Sequence, residues 1–537
     1  MAQMVQSKVL RPEWLPAVAL SSALAALMLL WSPPVGDLAA QVFRTELFQQ
    51  AGMAIWNGSW YGGHYTLTYS LLFPPLGALL GPQVVGGIAV VSSSYLFDRI
   101  VRDRWGVEAR WATLWFAAGV VTLLADGQLT FALGVAFGLA TLRCLQVGHG
   151  RLAVLAAAGC ALSSPVAGAF LAGVVFAGVW ERGSRLNRAA LGAGALALAL
   201  TIVPNLAFPE PGQFPFAFSS FIAIPLWSAG ALYVIRNLPE ERQLRRVIVG
   251  YLLASTLIWL TPNALGGNAV RLGALFGGPV LAAVVLSRRP QVARWMLALV
   301  LTGSLYWQLT ASVTQIARSV GDPSTSPAYF QPAATWLRAH GGQGMRIEVP
   351  PTANHWESAY LAPKFELARG WLRQLDTTRD DIFYDEGLNN RSYSAWLRGN
   401  AISYVALPDA PLDYSSAAES HLIAAAPPYL KLRFHSEHWR IYQVVDPKPL
   451  VAPIGAGRAR TLSIGRQGFA LDVTKPGRFL VRVNFTPYWT ISQGAGCILR
   501  DGDWTVARTA HTGVFRVKAD FSLGSAWNAV TGAKKTC

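Results

Sequence analysis

Charge is scarce in this chain of 537 residues: only 14% are Asp, Glu, Lys or Arg, against 52% hydrophobic residues. That balance excludes an ordinary water-soluble globule. Cysteine is scarcer still, with four in all and no CxxC or zinc-finger spacing. Cys144 and Cys160 fall in apolar segments and read as packing residues. There is no P-loop, HExxH, GxSxG elbow or EF-hand loop, which argues against an ATP-driven pump and a soluble-type hydrolase. Rows of acidic residues within the apolar runs are missing too, which weighs against an ion-coupled transporter. The net charge of +16 lacks the aromatic-interleaved basic platform of a single-strand binder, so nucleic acid is not an expected partner.

What the chain does have is long apolar runs, several approaching the ~20 residues a helix needs to cross a bilayer. The first run, about Trp14 to Trp31, follows Lys8 and Arg11 and exceeds the ~7–15 residues of a cleavable signal core. It reads as a retained membrane helix. Hydropathy places eleven spans near 14–32, 83–101, 108–125, 128–146, 151–164, 166–181, 187–205, 219–235, 247–262, 270–286 and 294–312. Five arginine clusters then fall on one side of the membrane with Lys8 and Arg11: 99–110, 143–151, 182–188, 236–246 and 288–294. By the positive-inside rule that side is cytoplasmic, which places the protein in a plasma membrane as a multi-pass chain. Everything after about residue 313 then lies outside. Residues 67–80, broken by Pro74-Pro75, fit a short re-entrant or interfacial helix rather than a span.

Past the turn-rich 322–327 the pattern changes. Residues 319–446 read as an α/β unit. It has a helix at 332–340, a strand at 345–349, helical residues near 360–375, and strands at 402–407, 429–434 and 439–445. From 447 to 537 short alternating strands such as FLVRVNF (479–485) predict a β-sandwich. If this region lies outside the cytoplasm, Cys497 and Cys537 can form a disulfide.

The candidate chemistry gathers on the outer loops, foremost 33–66, which begins just past the first span. Asp37 sits at its start, Arg44 and Glu46 lie about two turns on, and the aromatic WNGSWYGGH ends at His64. Asp126 and Arg271 lie in two other loops of that face, and Arg271 breaks the arginine rule. It is read equally well as a phosphate-binding cation or as a side chain snorkelling to the headgroups. NHWES (354–358) adds His355 and Glu357. A carboxylate here suits the base that takes a proton from an attacking hydroxyl, and a cation suits a departing lipid phosphate. An alternative is Asp37 and Asp126 sharing a divalent Mg or Mn ion. His435-Ser436-Glu437-His438 reads as a turn between strands, and the sequons at Asn57 and Asn484 are short enough to arise by chance.

In this layout the chain resembles the GT-C superfamily of membrane glycosyltransferases that use polyprenyl-phosphate sugars. The resemblance rests on about eleven helices, a large first outer loop with an acidic residue after the first helix, and an outer C-terminal domain. It implies an inverting transferase moving sugar from the lipid donor to a glycan, lipid or protein acceptor of the cell envelope. Asp37 matches the catalytic carboxylate by position and Asp126 the second acidic site. Arg271 matches the phosphate-binding cation. The FTPYW stretch (485–489) is similar to a motif in bacterial membrane proteins of the YfhO type. The sequence departs from better-known branches in having a lone Asp37 rather than an acidic pair, and it lacks a WWDYG-type signature. The competing readings are a transporter or flippase of a lipid-linked saccharide and a non-catalytic scaffold of envelope assembly.

Overall fold

The computed structural model describes residues 14–179, 188–341, 345–385 and 387–532. A helix occupies each of the eleven predicted segments. Among the described residues, seven helices are long and apolar enough to cross a membrane. The count rises to eight if the pair Leu15–Trp31 and Gly36–Ala51, bent by 79°, makes one span. Gly150–Ser163, Pro165–Gly178 and Phe218–Val234 are apolar but shorter, so eleven crossings remain a proposal.

The bend after Trp31 follows from local chemistry. Ser32 turns left-handed at φ 49°, and Pro33-Pro34 cannot extend the first helix. The chain restarts as Gly36–Ala51, with Asp37 in the first turn rather than at the cap, which is Val35. The prolines of 67–80 also act as a start signal: Phe73–Leu80 is one short helix with Pro74 and Pro75 at its first positions.

Ion pairs stitch the basic clusters together at one end of the bundle. Arg104 and Arg288 both reach Glu241, at 3.4 and 3.2 Å, and Arg143 pairs with Asp103. Trp105 Nε1 donates to Glu241 at 2.9 Å. Arg182 and Arg185 lie outside the described residues.

The α/β unit covers the opposite end. Its helix Pro327–His340 starts earlier than expected because Ser326 caps it and Pro327 opens it, leaving Pro332 in its interior. The five-stranded sheet runs Glu366–Leu367, Arg346–Glu348, Ile402–Pro408, Trp439–Val444, Leu430–His435. The first three strands are parallel and the last two antiparallel to their neighbours. The continuous helical region expected near 360–375 is instead two short helices, Glu357–Tyr360 and Arg373–Arg379, around an edge strand. His435–His438 forms the hairpin turn.

Two four-stranded antiparallel sheets follow, and between them pack Phe469, Leu471, Phe479, Val481, Trp489 and Phe515. Arg346 joins the two C-terminal units, donating to the carbonyl of Arg482 at 2.6 Å. The Cys497–Cys537 pairing falls partly outside the described residues, since Cys537 is beyond them.

Candidate functional site

Between the helix ends and the α/β unit lies a chamber of about 840 Å³. Asp37, Arg44, His64, Arg271 and His355 all line it. Their convergence begins with helix geometry. Asp37 and Arg44 are seven residues apart, so at 3.6 residues per turn they share one face of Gly36–Ala51. Glu46, nine residues from Asp37, falls on the opposite side and accepts from Gln50 at 2.7 Å. It is not among the residues that line the chamber.

Asp37 is held by three neighbouring segments. Trp356 Nε1 donates to the carbonyl of Pro34 at 2.8 Å, and Trp371 Nε1 to that of Gly36 at 3.1 Å. Underneath, Gly127 adopts φ +72° against the start of the same helix, where a Cβ would stand 2.5 Å from the Leu38 nitrogen. Across the chamber Arg271 faces the carboxylate at 3.9 Å, too long for a hydrogen bond and loose enough to release it. Arg44 lays its guanidinium 3.5 Å above the Tyr69 ring and 5.3 Å from Trp371. Its Nη1 has no hydrogen-bond partner among the described residues.

His355 sits in a left-handed conformation at φ +54°, a strain that persists only when the surroundings enforce it. They do: its ring lies 3.3 Å from Glu357 and 3.6 Å from Asp413. Burial opposes its charge, but Asp413 and Glu357 outweigh burial and raise its pKa to about 9. Asp413 in turn takes both guanidinium nitrogens of Arg373, at 2.9 and 2.6 Å. Although burial opposes its charge, His355 and Arg373 hold its carboxyl well below the usual range. Glu357 is buried behind the ring, accepting from Thr352 Oγ1 at 2.7 Å. It supports His355 and does not line the chamber.

His64 is placed by a small hairpin, Trp56–Asn57 against His64–Tyr65, and stacks on Trp60 at 5.3 Å. Burial, with Arg379 and Arg44 nearby, pushes its pKa down to about 3, so the ring is neutral. Asn57 and Asn484 of the two sequons are buried, with the Asn484 amide donating to the carbonyls of Tyr61 and Gly63.

Asp126 is buried behind the chamber rather than on its wall, and burial raises its pKa to about 7. The pair Asp37 and Asp126 fits a shared divalent ion poorly, because Arg271, Arg44 and His355 direct positive charge at Asp37. Among the described residues no group of three or more His, Cys, Asp or Glu is arranged to hold a metal ion. No step is therefore routed through a metal.

Four charged lining residues escaped the sequence-based choice of site. Glu210 accepts from the Tyr65 amide at 2.9 Å and pairs with Arg379 at 3.5 Å, and burial lifts its pKa to about 7. Arg318, Arg373 and Asp413 complete the set. Only Glu210 carried a sequence signal, as the one acidic residue of the proline-rich stretch 205–216. A second, apolar cavity of about 740 Å³ runs between Pro165–Val179 and Arg242–Leu260 and shares Ala169 and Leu265 with the chamber.

No protein-family model matches this sequence, and no curated protein matches it. Among solved structures, the apo crystal structure of ArnT from Cupriavidus metallidurans is similar over 79% of this chain and 97% of its own. The identity is 14% and the TM-score 0.38. At that score the two chains are not equated in fold or activity.

Proposed function

We propose that this chain is an inverting membrane glycosyltransferase that takes a sugar from a polyprenyl-phosphate donor on the outer face. The single observation that carries the reading is Asp37 in a partly enclosed chamber, opposite Arg271 and sharing its wall with His355, whose pKa Asp413 and Glu357 raise against burial to about 9. In the proposed reaction the donor phosphate draws Arg271 away from Asp37. Arg318 and His355 supply further positive charge to the phosphate as it departs. The freed Asp37 carboxylate accepts the proton of an acceptor hydroxyl as that oxygen attacks the anomeric carbon from the opposite side. The apolar cavity meeting the chamber at Ala169 and Leu265 suits a lipid tail.

Chamber residues come from one end of the bundle. The wall reaches Ala169 and Thr201, within about two turns of helices that end at Pro165 and Ala207. The adjoining cavity runs on to Arg245 and Arg246 at the other end of Arg242–Leu260 but is apolar, which favours a reaction vessel with room for a lipid tail over a polar passage for transport. The acceptor, whether glycan, lipid or protein, would enter beneath the α/β unit.

The test is sugar transfer by purified protein from candidate polyprenyl-phosphate sugars, comparing wild type with Asp37→Asn. Removing a general base costs roughly 10²- to 10⁴-fold in rate, and that loss is expected with the melting temperature preserved. Undiminished transfer by the variant would remove Asp37 from the mechanism.

A further inference from the structure

The C-terminal helix Leu523–Thr531 has two apolar faces, and among the described residues only one of them is packed against the rest of the chain. Ser522 caps it, with its side chain accepting from the Ser525 amide. Ala526 and Ala529, three residues apart, pack on the sandwich core. Leu523, Trp527 and Val530 follow the i, i+4, i+7 spacing of a single helical stripe and stand 81%, 69% and 53% exposed. Three large apolar side chains on one face mark a contact surface rather than scattered surface residues.

The surroundings say what covers it. The helix packs against Arg188–Ala207, a candidate span of mean hydropathy 1.8 with only 22% of its apolar window buried. Near the end of that span Val203 and Leu206 are themselves 57% and 54% exposed. Tyr488 fixes the sandwich at this level, its hydroxyl donating to the Ala207 carbonyl at 2.6 Å. Phe521, just before the helix, lies 6.2 Å from Phe208 and 6.1 Å from Tyr488. The exposed stripe thus continues the lipid-facing surface of a span at the depth where that span ends. Trp is the side chain enriched at such boundaries.

The geometry points to Leu523–Thr531 as an interfacial anchor, its Leu523, Trp527 and Val530 face embedded in the membrane leaflet on the side of the C-terminal units. A short amphipathic helix binds a bilayer surface in this way, with its apolar face sunk into the headgroup–acyl boundary. The anchor fixes the sandwich against the membrane independently of any catalytic role for Asp37.

Spin labels test it in full-length protein reconstituted into phosphatidylcholine nanodiscs. Leu523→Cys, Trp527→Cys and the control Asp503→Cys are labelled in a Cys144→Ala background, and cooperative melting of each protein certifies its fold. Asp503 is a control because its side chain is 87% exposed on a sandwich turn. Relaxation by lipid-soluble oxygen is expected to exceed relaxation by a water-soluble nickel complex several-fold at 523 and 527, with the reverse at 503. Nickel dominating at all three sites would show a face bathed in water and overturn the proposal. Exclusion of both reagents at 523 and 527 would also overturn it, in favour of a second copy or another protein over the stripe.

Discussion

At the residue scale, the proposed chemistry turns on how few atoms restrain one carboxylate. Gly127 is the plainest case, because its φ of +72° and the 2.5 Å approach to the Leu38 nitrogen both forbid a side chain. Gly127→Ala is expected to cost on the order of 2 kcal/mol or more, read as a lowered melting temperature, and to displace Asp37. His355 supplies a pH signature. Its pKa is raised to about 9 when folded, above the ~6.5 of a free imidazole. The stability that its ion pairs with Asp413 and Glu357 confer is therefore whole below about 6.5 and lost as pH rises through about 9, where the folded imidazolium gives up its proton. Proposed transfer activity should decline across that alkaline limb, and His355→Gln should lack the limb. A wild-type profile flat to pH 10 would count against the imidazolium.

At the scale of elements, the helix Gly36–Ala51 shows how much of the site the sequence displayed. Position after the first apolar run singled out Asp37, and the seven-residue spacing put Arg44 on its face. The same periodicity turns Glu46 away, a conclusion open to anyone who knew that 36–51 is helical. The reading of 33–66 as a loop hid it. The tryptophan pair was not legible, since Trp356 and Trp371 lie more than 300 residues from the carbonyls they bind. Trp371→Phe removes the bond to Gly36 and keeps most of the ring. It should lower proposed transfer about tenfold, the worth of ~1.4 kcal/mol, with little change in melting temperature. An equal loss of stability would make the contact merely structural.

Over the whole molecule, the α/β unit carries a buried charge cluster whose cost depends on pH. Arg369 binds Asp376 at 2.6 Å and Glu419 at 3.2 Å, Tyr393 donates to Glu419, and Trp396 to Asp380. Burial, with acidic neighbours, raises Glu419 to about 7 and Asp380 to about 8. Both carboxyls are raised above their unfolded values near ~4. The stability they confer is whole below about pH 4 and lost as pH rises through 7 and 8. Asp413, held low, acts oppositely in strong acid. The melting temperature should therefore fall between pH 5 and 9, and less steeply for Glu419→Gln; a rise over that range would contradict the cluster's role. The topology has its own check. Single cysteines at Glu240 and Ser420 lie at opposite ends of the bundle, and an impermeant reagent outside the cell should modify only the second.

Hydropathy and arginine placement by themselves determined where helices form, which loops gather at one end, and that Asp37 begins a polar stretch beside the membrane. Those properties are local, set by runs of side chains meeting lipid or water. Only tertiary structure decided which charges share a chamber. Arg373, Asp413 and His355 meet because a mixed sheet and its loops fold back over the helix ends. Glu357 was withdrawn behind the wall by that fold, and Asp126 by the contact of its own loop with the start of Gly36–Ala51, because burial is a property of neighbours that sequence distance does not encode.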